Sequence, residues 1–165
     1  AGIAVGADLI NDIWGLKYDP KMADVIAKAD AACCLMHNRD NSDYGDFLSE
    51  WYQETAECVE LAKKAGIADD RIILDPGVGF GKTYEQNLTT IKYMDDLKKL
   101  GYPLLLGTSR KSVIGLTLDT PVTDRAVGTA VTTVFAVQQG YAFVRVHDIK
   151  ANKQAIQMTK AILNA

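Results

Sequence analysis

The feature that most constrains this chain is a fivefold alternation of short, largely continuous apolar runs with longer stretches whose apolar residues recur at helical spacing. The short runs are Leu9 to Ile13, Ala31 to Met36, Ile72 to Leu74, Leu104 to Leu106 and Phe143 to Val146. A strand that is apolar on both faces has none to give to water, so these runs predict a parallel sheet covered by helices. The helical stretches carry end signals. Asp19-Pro20 offers a cap and a first-turn proline ahead of Lys21 to Ala29, and Phe47 to Ala65 ends in Lys63, Lys64 and Gly66. Thr83 to Leu100 stops at Gly101, Asp124 to Gln139 stops at Gly140, and Ala151 to Leu163 closes the series.

With 165 residues, 48% of them apolar, the chain can bury a core. No Pro-rich or Ser-rich linker divides it, so residues 1–165 read as a single domain. Units of about 30 residues suit a doubly wound sheet or part of an eightfold barrel, and a closed barrel typically needs about 250 residues. The expected fold is therefore α/β, a partial TIM (β/α)8 barrel of about five β-α units, with two unpaired edges.

Lys and Arg total 18 against 21 Asp and Glu, a formal charge of −3, which argues against nucleic acid or an anionic membrane as partner and for small molecules. No apolar run approaches the roughly 18 residues of a spanning helix, and no basic-then-apolar leader opens the chain. Ala1 to Gly6 reads like the end of a helix, as if something preceded it. The three cysteines, Cys33, Cys34 and Cys58, form no CxxC pair; they read as small buried thiols of a reducing cytoplasm, with Cys33 and Cys34 on opposite faces of a strand.

Polar residues fall in a pattern. Each apolar run hands over to them at its C-terminal end: Asn11-Asp12, His37-Asn38-Arg39, Asp75-Pro76-Gly77, Ser109-Arg110-Lys111-Ser112 and Arg145-Val146-His147-Asp148. In parallel α/β folds the loops at that rim converge on ligands. Asp12 and Asp148 read first as helix caps. The only two histidines, His37 and His147, both sit at the rim, and neither has a partner at metal-ligand spacing, which argues against zinc.

The segment Asp75 to Thr83 imitates nucleotide motifs without satisfying them. A P-loop needs glycine where Pro76 stands, and the dinucleotide fingerprint needs glycine at Lys82. What is left is a strand ending in a carboxylate, then a flexible turn that lets a ligand approach the backbone. Ser109 to Ser112 places two cations and two hydroxyls beside apolar Leu104 to Leu106, a costly arrangement unless an anion or polar ligand neutralises it. A helical turn beginning at Ser112 or Val113 adds free N–H groups. With Arg145 the rim becomes cationic on a net acidic chain, which points to an anionic small substrate, phosphate foremost.

Taken in order, Leu9-Ile10-Asn11-Asp12-Ile13, Leu35-Met36-His37-Asn38-Arg39, Asp75-Pro76-Gly77-Val78-Gly79-Phe80-Gly81-Lys82, Gly107-Thr108-Ser109-Arg110-Lys111-Ser112 and Arg145-Val146-His147-Asp148 resemble the dihydropteroate synthase family, the folate-pathway enzymes that sulfonamides inhibit. The resemblance covers nearly the whole chain and places it on strands four to eight of a TIM barrel. It implies a transferase that joins 6-hydroxymethyl-7,8-dihydropterin diphosphate to p-aminobenzoate, giving 7,8-dihydropteroate and diphosphate. Carried over, Asn11 and Asp75 bind pterin, Met36 lines its pocket, Lys111 touches pterin near p-aminobenzoate, and Arg145 and His147 hold the diphosphate. Phe80, Arg110 and Ser112 line the p-aminobenzoate side, and Gly107 belongs to the same substrate-binding set. Lys111, Arg145 and His147 are the expected catalytic residues.

The resemblance further implies magnesium in the full enzyme, with its protein ligand outside this chain, and a homo-oligomer built through Asp124 to Gln139 and Ala151 to Leu163. Val113 stands where the family usually has Phe. Because the family's first three strands and two mobile loops have no counterpart among these residues, the isolated chain is expected to be inactive. Two alternatives stand beside this reading: a pterin-domain methyltransferase, which moves no diphosphate and so has no use for the Ser-Arg-Lys-Ser and Arg-Val-His sets, and a non-catalytic pterin-binding module.

Overall fold

All five expected strands form and pair in parallel, in chain order, in the computed structural model, which describes residues 1–165. Strands β1 (Leu9–Asp12), β2 (Ala32–Met36) and β3 (Ile72–Asp75) make one sheet, and β4 (Leu105–Leu106) and β5 (Phe143–Val144) make a second. A parallel bridge between Leu74 and Leu104 joins the two, with the Leu74 N–H donating to Pro103 O at 2.9 Å. The result is an arc of parallel strands that does not close, the partial barrel expected from the alternation.

Six α-helices flank the strands: α1 (Met22–Lys28), α2 (Phe47–Lys64), α3 (Tyr84–Tyr93), α4 (Ser112–Leu118), α5 (Ala126–Gln138) and α6 (Ile149–Leu163). The outward side chains Cys33, Leu35, Ile72 and Leu74 pack under α2 through Trp51, Cys58, Val59 and Ala62. A second core holds Val78, Ile91, Met94, Leu106, Val113, Ile114 and Ala136 beneath α3, α4 and α5. Cys33 and Cys34 do face opposite ways: only Cys33 joins the outer core, although both are buried, and no cysteine is bonded to another.

Several local expectations are corrected. Burial on both faces holds for β2 and β3 but not at the ends of the arc, where β1 alternates between exposed and half-buried and Phe143 is 47% exposed, because neither end has a strand beyond it. The stretch Thr83 to Leu100 is not one helix; α3 ends at Tyr93 and a 3-10 helix runs Met94–Leu100. A repeat of three residues per turn sets Met94, Leu97 and Leu100 in line against the core, which an α-helix would fan apart. Asp19 does not cap α1; its carboxylate accepts from Lys21 N at 2.9 Å and the helix starts a residue later than expected, at Met22. Helix α5 begins at Ala126 after a short 3-10 turn over Val122–Asp124, and α6 at Ile149, two residues before the expected start.

Candidate functional site

Register decides which side chains share the inner face of the arc. Asn11 pairs with Cys34 and Cys34 with Ile73, while Met36 pairs with Asp75. Side chains in one row of a parallel sheet point the same way and alternate along each strand, so Asn11, Cys34, Met36, Ile73 and Asp75 all face inward, opposite the helix-covered side. Leu105 pairs with Phe143, and the Arg145 N–H continues that ladder onto Leu106 O at 2.9 Å. Gly107 lies next along the inner row; a Cβ there would sit 3.5 Å from Asp75 Oδ2, so the carboxylate reaches across to the end of β4.

Beside it, Gly107, Ser109, Lys111, Arg145, Val146 and His147 line a cavity of about 380 Å³ at the C-terminal ends of β4 and β5. The Ser109 hydroxyl joins the two loops: the His147 backbone N–H donates to its oxygen at 3.0 Å, and Nδ1 of the ring lies 2.9 Å away. Lys111 spans the cavity and the glycine loop. Its Nζ donates to Val78 O and stands 4.5 Å above the centre of the Phe80 ring.

The charges of this site are displaced from their solution behaviour. Burial pushes the Asp75 carboxyl above the usual carboxylate range, against the Gly77 N–H donated to Oδ1 at 2.8 Å and the cations Lys111, Arg145 and Lys82. Burial lowers Lys111 to about 8, Asp75 opposing and Arg145 adding to the shift. Gly107 thus brings the desolvated Asp75 carboxyl beside the cavity that the desolvated Lys111 ammonium lines.

Of the expected site residues, Gly107, Lys111, Arg145 and His147 line the cavity, whereas Asn11, Met36, Asp75, Phe80, Arg110 and Ser112 do not. Arg110 sits at φ +58° with its guanidinium forked onto Asp148, Nε to Oδ2 at 3.1 Å and Nη2 to Oδ1 at 2.7 Å. Its backbone is held too, N–H donating to Thr129 Oγ1 at 3.1 Å and O accepting from Arg125 Nη1 at 3.0 Å. Ser112 is exposed at the first turn of α4 and is not among the residues around the cavity. Asp12 and Asp148 are structural, though neither side chain caps a helix: Asp12 accepts from Trp14 N and Leu16 N at 3.1 and 2.7 Å, and Asp148 takes Arg110.

The glycine loop differs from its expected use. The space a side chain would take at Gly77 is filled by His37 O, at 1.9 Å from an ideal Cβ, and at Gly81 by the Arg39 backbone, at 2.6 Å. These glycines admit the protein's own backbone, so their lack of a side chain serves packing against His37 and Arg39. Ser109 belongs to the polar rim that the sequence offers, but its bridge between the two loops spans 38 residues and no local pattern shows it. Cys34 faces inward between Asn11 and Ile73, as alternation along Ala32–Met36 dictates.

Strand-end carboxylate, paired cations and a converging set of parallel-strand loops define part of a (β/α) barrel with a polar cavity at the C-terminal ends of its strands. The comparisons narrow that class. A family model described as pterin binding enzyme matches residues 1–147. The dihydropteroate synthase of Clostridium beijerinckii is 53% identical over 98% of this chain and 60% of its own length, and that of Bacillus subtilis is 46% identical over 98% and 57%. In structure, the dihydropteroate synthase of Clostridium difficile solved in the presence of pteroic acid superposes with a TM-score of 0.94 at 45% identity, over 97% of this chain and 61% of that one. The Thermus thermophilus dihydropteroate synthase in complex with 6HMPPP gives 0.90 at 34% identity, over 96% and 64%. The chain belongs to the pterin binding enzyme family, and it spans about 60% of the length of the curated relatives it matches.

Proposed function

We propose that this chain supplies the pterin- and diphosphate-holding part of a dihydropteroate synthase, the transferase that condenses 6-hydroxymethyl-7,8-dihydropterin diphosphate with p-aminobenzoate. The observation that carries the reading is the cavity lined by the cations Lys111 and Arg145 together with His147, set beside the buried carboxyl of Asp75. A 2-amino-4-oxopterin presents adjacent N–H donors, which ionised Asp75 accepts as a pair, and Asn11 donates and accepts at the ring edge. Met36 and Gly107 give the flat ring a floor without bulk.

Breaking the bond between the pterin methylene carbon and the diphosphate oxygen leaves the electron pair on that oxygen, so the step needs stabilised departing charge more than a strong base. Arg145 and His147 meet the diphosphate, and Lys111, between cavity and Phe80, neutralises the developing charge. The aniline nitrogen attacks as the neutral amine, and its surplus proton passes to the departing diphosphate or to water. Phe80 faces the p-aminobenzoate side. Arg110 serves that side through Asp148, as a brace, not as a contact. The resemblance implies magnesium, but Asp75 is the carboxylate assigned here to the pterin, none lines the cavity, and no three His, Cys, Asp or Glu side chains converge. The residues present do not fit a magnesium site by themselves, and no step here runs through the ion.

The free thiols suit a reducing cytoplasmic setting, and no helix is long and apolar enough to cross a membrane. Calorimetry with a pterin and with diphosphate tests the reading. Binding of both, and no diphosphate release when the pterin diphosphate is supplied with p-aminobenzoate, is the expected result for these 165 residues alone; binding of neither would refute it. A methyltransferase would take the pterin and ignore diphosphate.

A further inference from the structure

One buried cation has no part in that chemistry. Lys82 Nζ lies under the glycine loop with three acceptors around it: Gly77 O at 3.0 Å, Phe80 O at 3.0 Å and His37 Nδ1 at 2.8 Å. An ammonium has three N–H donors and no acceptor. The count matches the ammonium form, which leaves His37 Nδ1 bare and puts the ring proton on Nε2, donating to Glu54 Oε2 at 2.9 Å. Glu54 is in turn held by Arg39, from Nη2 to Oε1 at 2.5 Å. His37 is 1% exposed and stays neutral, because burial, with Lys82 next, pushes it down to about 2.

The loop depends on such donors. Its carbonyls at Pro76, Gly77, Val78, Phe80 and Gly81 each receive a side chain: Trp51 Nε1 at 3.0 Å, Lys82, Lys111, Lys82 again and Tyr44 Oη at 2.9 Å. Gly77 O alone also takes a loop backbone N–H, from Phe80 at 3.1 Å. Lys82 is the one residue that holds two of these carbonyls, and they flank Val78, where Lys111 binds, and include Phe80, over which Lys111 stands.

We propose that Lys82 is a positioning residue of the pterin site, an ammonium latch that fixes the Gly77–Phe80 loop through His37 and Glu54 and thereby sets Phe80 and Lys111. This rests on the pterin reading above. A neutral amine has two donors, so deprotonation frees one acceptor and loosens the loop. Burial draws Lys82 down to about 7, with Asp75 and Glu54 opposing and Lys111 and Arg39 assisting, which puts loosening within reach of ordinary buffers.

The test pairs ¹⁵N spectra of the His37 ring with pterin calorimetry on wild type and Lys82→Met. The latch predicts a bare Nδ1 and a protonated Nε2 in wild type at pH 6, a change in the Nδ1 signal as Lys82 titrates, and at least a tenfold loss of pterin affinity in K82M. Wild-type affinity falls as pH rises through that titration, and K82M lacks this step while keeping the later fall due to Lys111, drawn down to about 8. A protonated Nδ1 in wild type, or K82M binding pterin as wild type does, overturns the proposal. If K82M does not fold, the wild-type ring spectrum decides. If wild type binds no pterin, the functional reading fails by itself, and amide exchange at residues 77–82 still judges the latch: faster exchange in K82M supports it, unchanged exchange refutes it.

Discussion

Burial raises the Asp75 carboxyl above its ordinary 3.8, and the consequence for stability has a definite sign. Between 3.8 and the folded value, the unfolded chain has released its proton while the folded chain still holds it, so this group's contribution declines as pH rises through that window. Asp75→Asn removes the decline, and an amide oxygen still accepts from Gly77 N. The ligand-free variant should melt higher than wild type at pH 8, by roughly 2–4 °C for about 1 kcal/mol, with the gain shrinking towards pH 4. Its pterin affinity should fall tenfold or more, as befits a lost charged acceptor worth about 1.5–3 kcal/mol. Melts at the two pH values with one calorimetric titration check both halves; a variant no more stable at pH 8 than at pH 4 would contradict the burial account. At this scale the placement of the candidate site was legible: Lys111, Arg145 and His147, polar groups just past apolar runs, line one cavity, and Asp75 and Asn11 face the inner side of the arc. What was not legible is occupancy. Arg110 reads as a free cation in sequence, yet Asp148, 38 residues away, claims it, and no local pattern encodes that distance.

Among the elements, α3 shows how far local signals reach. Thr83 accepts from Gln86 N at 3.3 Å, while Gln86 Oε1 accepts from Thr83 N at 2.8 Å, a complete capping box. Asp46 at the start of α2 makes a longer bond, 3.4 Å to Ser49 N. Thr83→Ala should therefore cost about 1 kcal/mol, read as a lower denaturant midpoint at unchanged slope, and Asp46→Ala should cost less. Equal losses would show that cap geometry does not rank the two helices. The start of this helix was written in Thr83, and the stop of the 3-10 helix that follows it in Gly101 with φ +86°. The switch to a 3-10 helix at Met94 was not, because a period of three and one of 3.6 diverge little over a single turn. Only the core decides between them, by demanding Met94 and Leu97 both fully buried.

Across the whole molecule, a parallel arc that does not close leaves two kinds of unsatisfied surface. One is the pair of outer strands, β1 and β5, with Leu9 41% and Phe143 47% exposed. The other lies on the helical side, where Val127, Val131 and Phe135 follow one another at intervals of four residues along α5 and border, with Leu88 and Leu118, an apolar groove of about 560 Å³. Strand ends offer a few hydrogen bonds over two to four residues each, whereas the stripe offers continuous apolar area, and area decides association at about 25 cal/mol per Å². Self-association is accordingly proposed to run through α5, helix to helix, with the ligand cavity left open on the far side of the strands. Val131→Asp places a charge at the centre of the stripe, 52% exposed in the single chain, so folding tolerates it while a contact would not. In sedimentation, wild type should grow heavier with concentration and V131D should stay monomeric with pterin binding intact. Association that survives in V131D would transfer the contact to the strand edges, where Leu9→Lys should then abolish it.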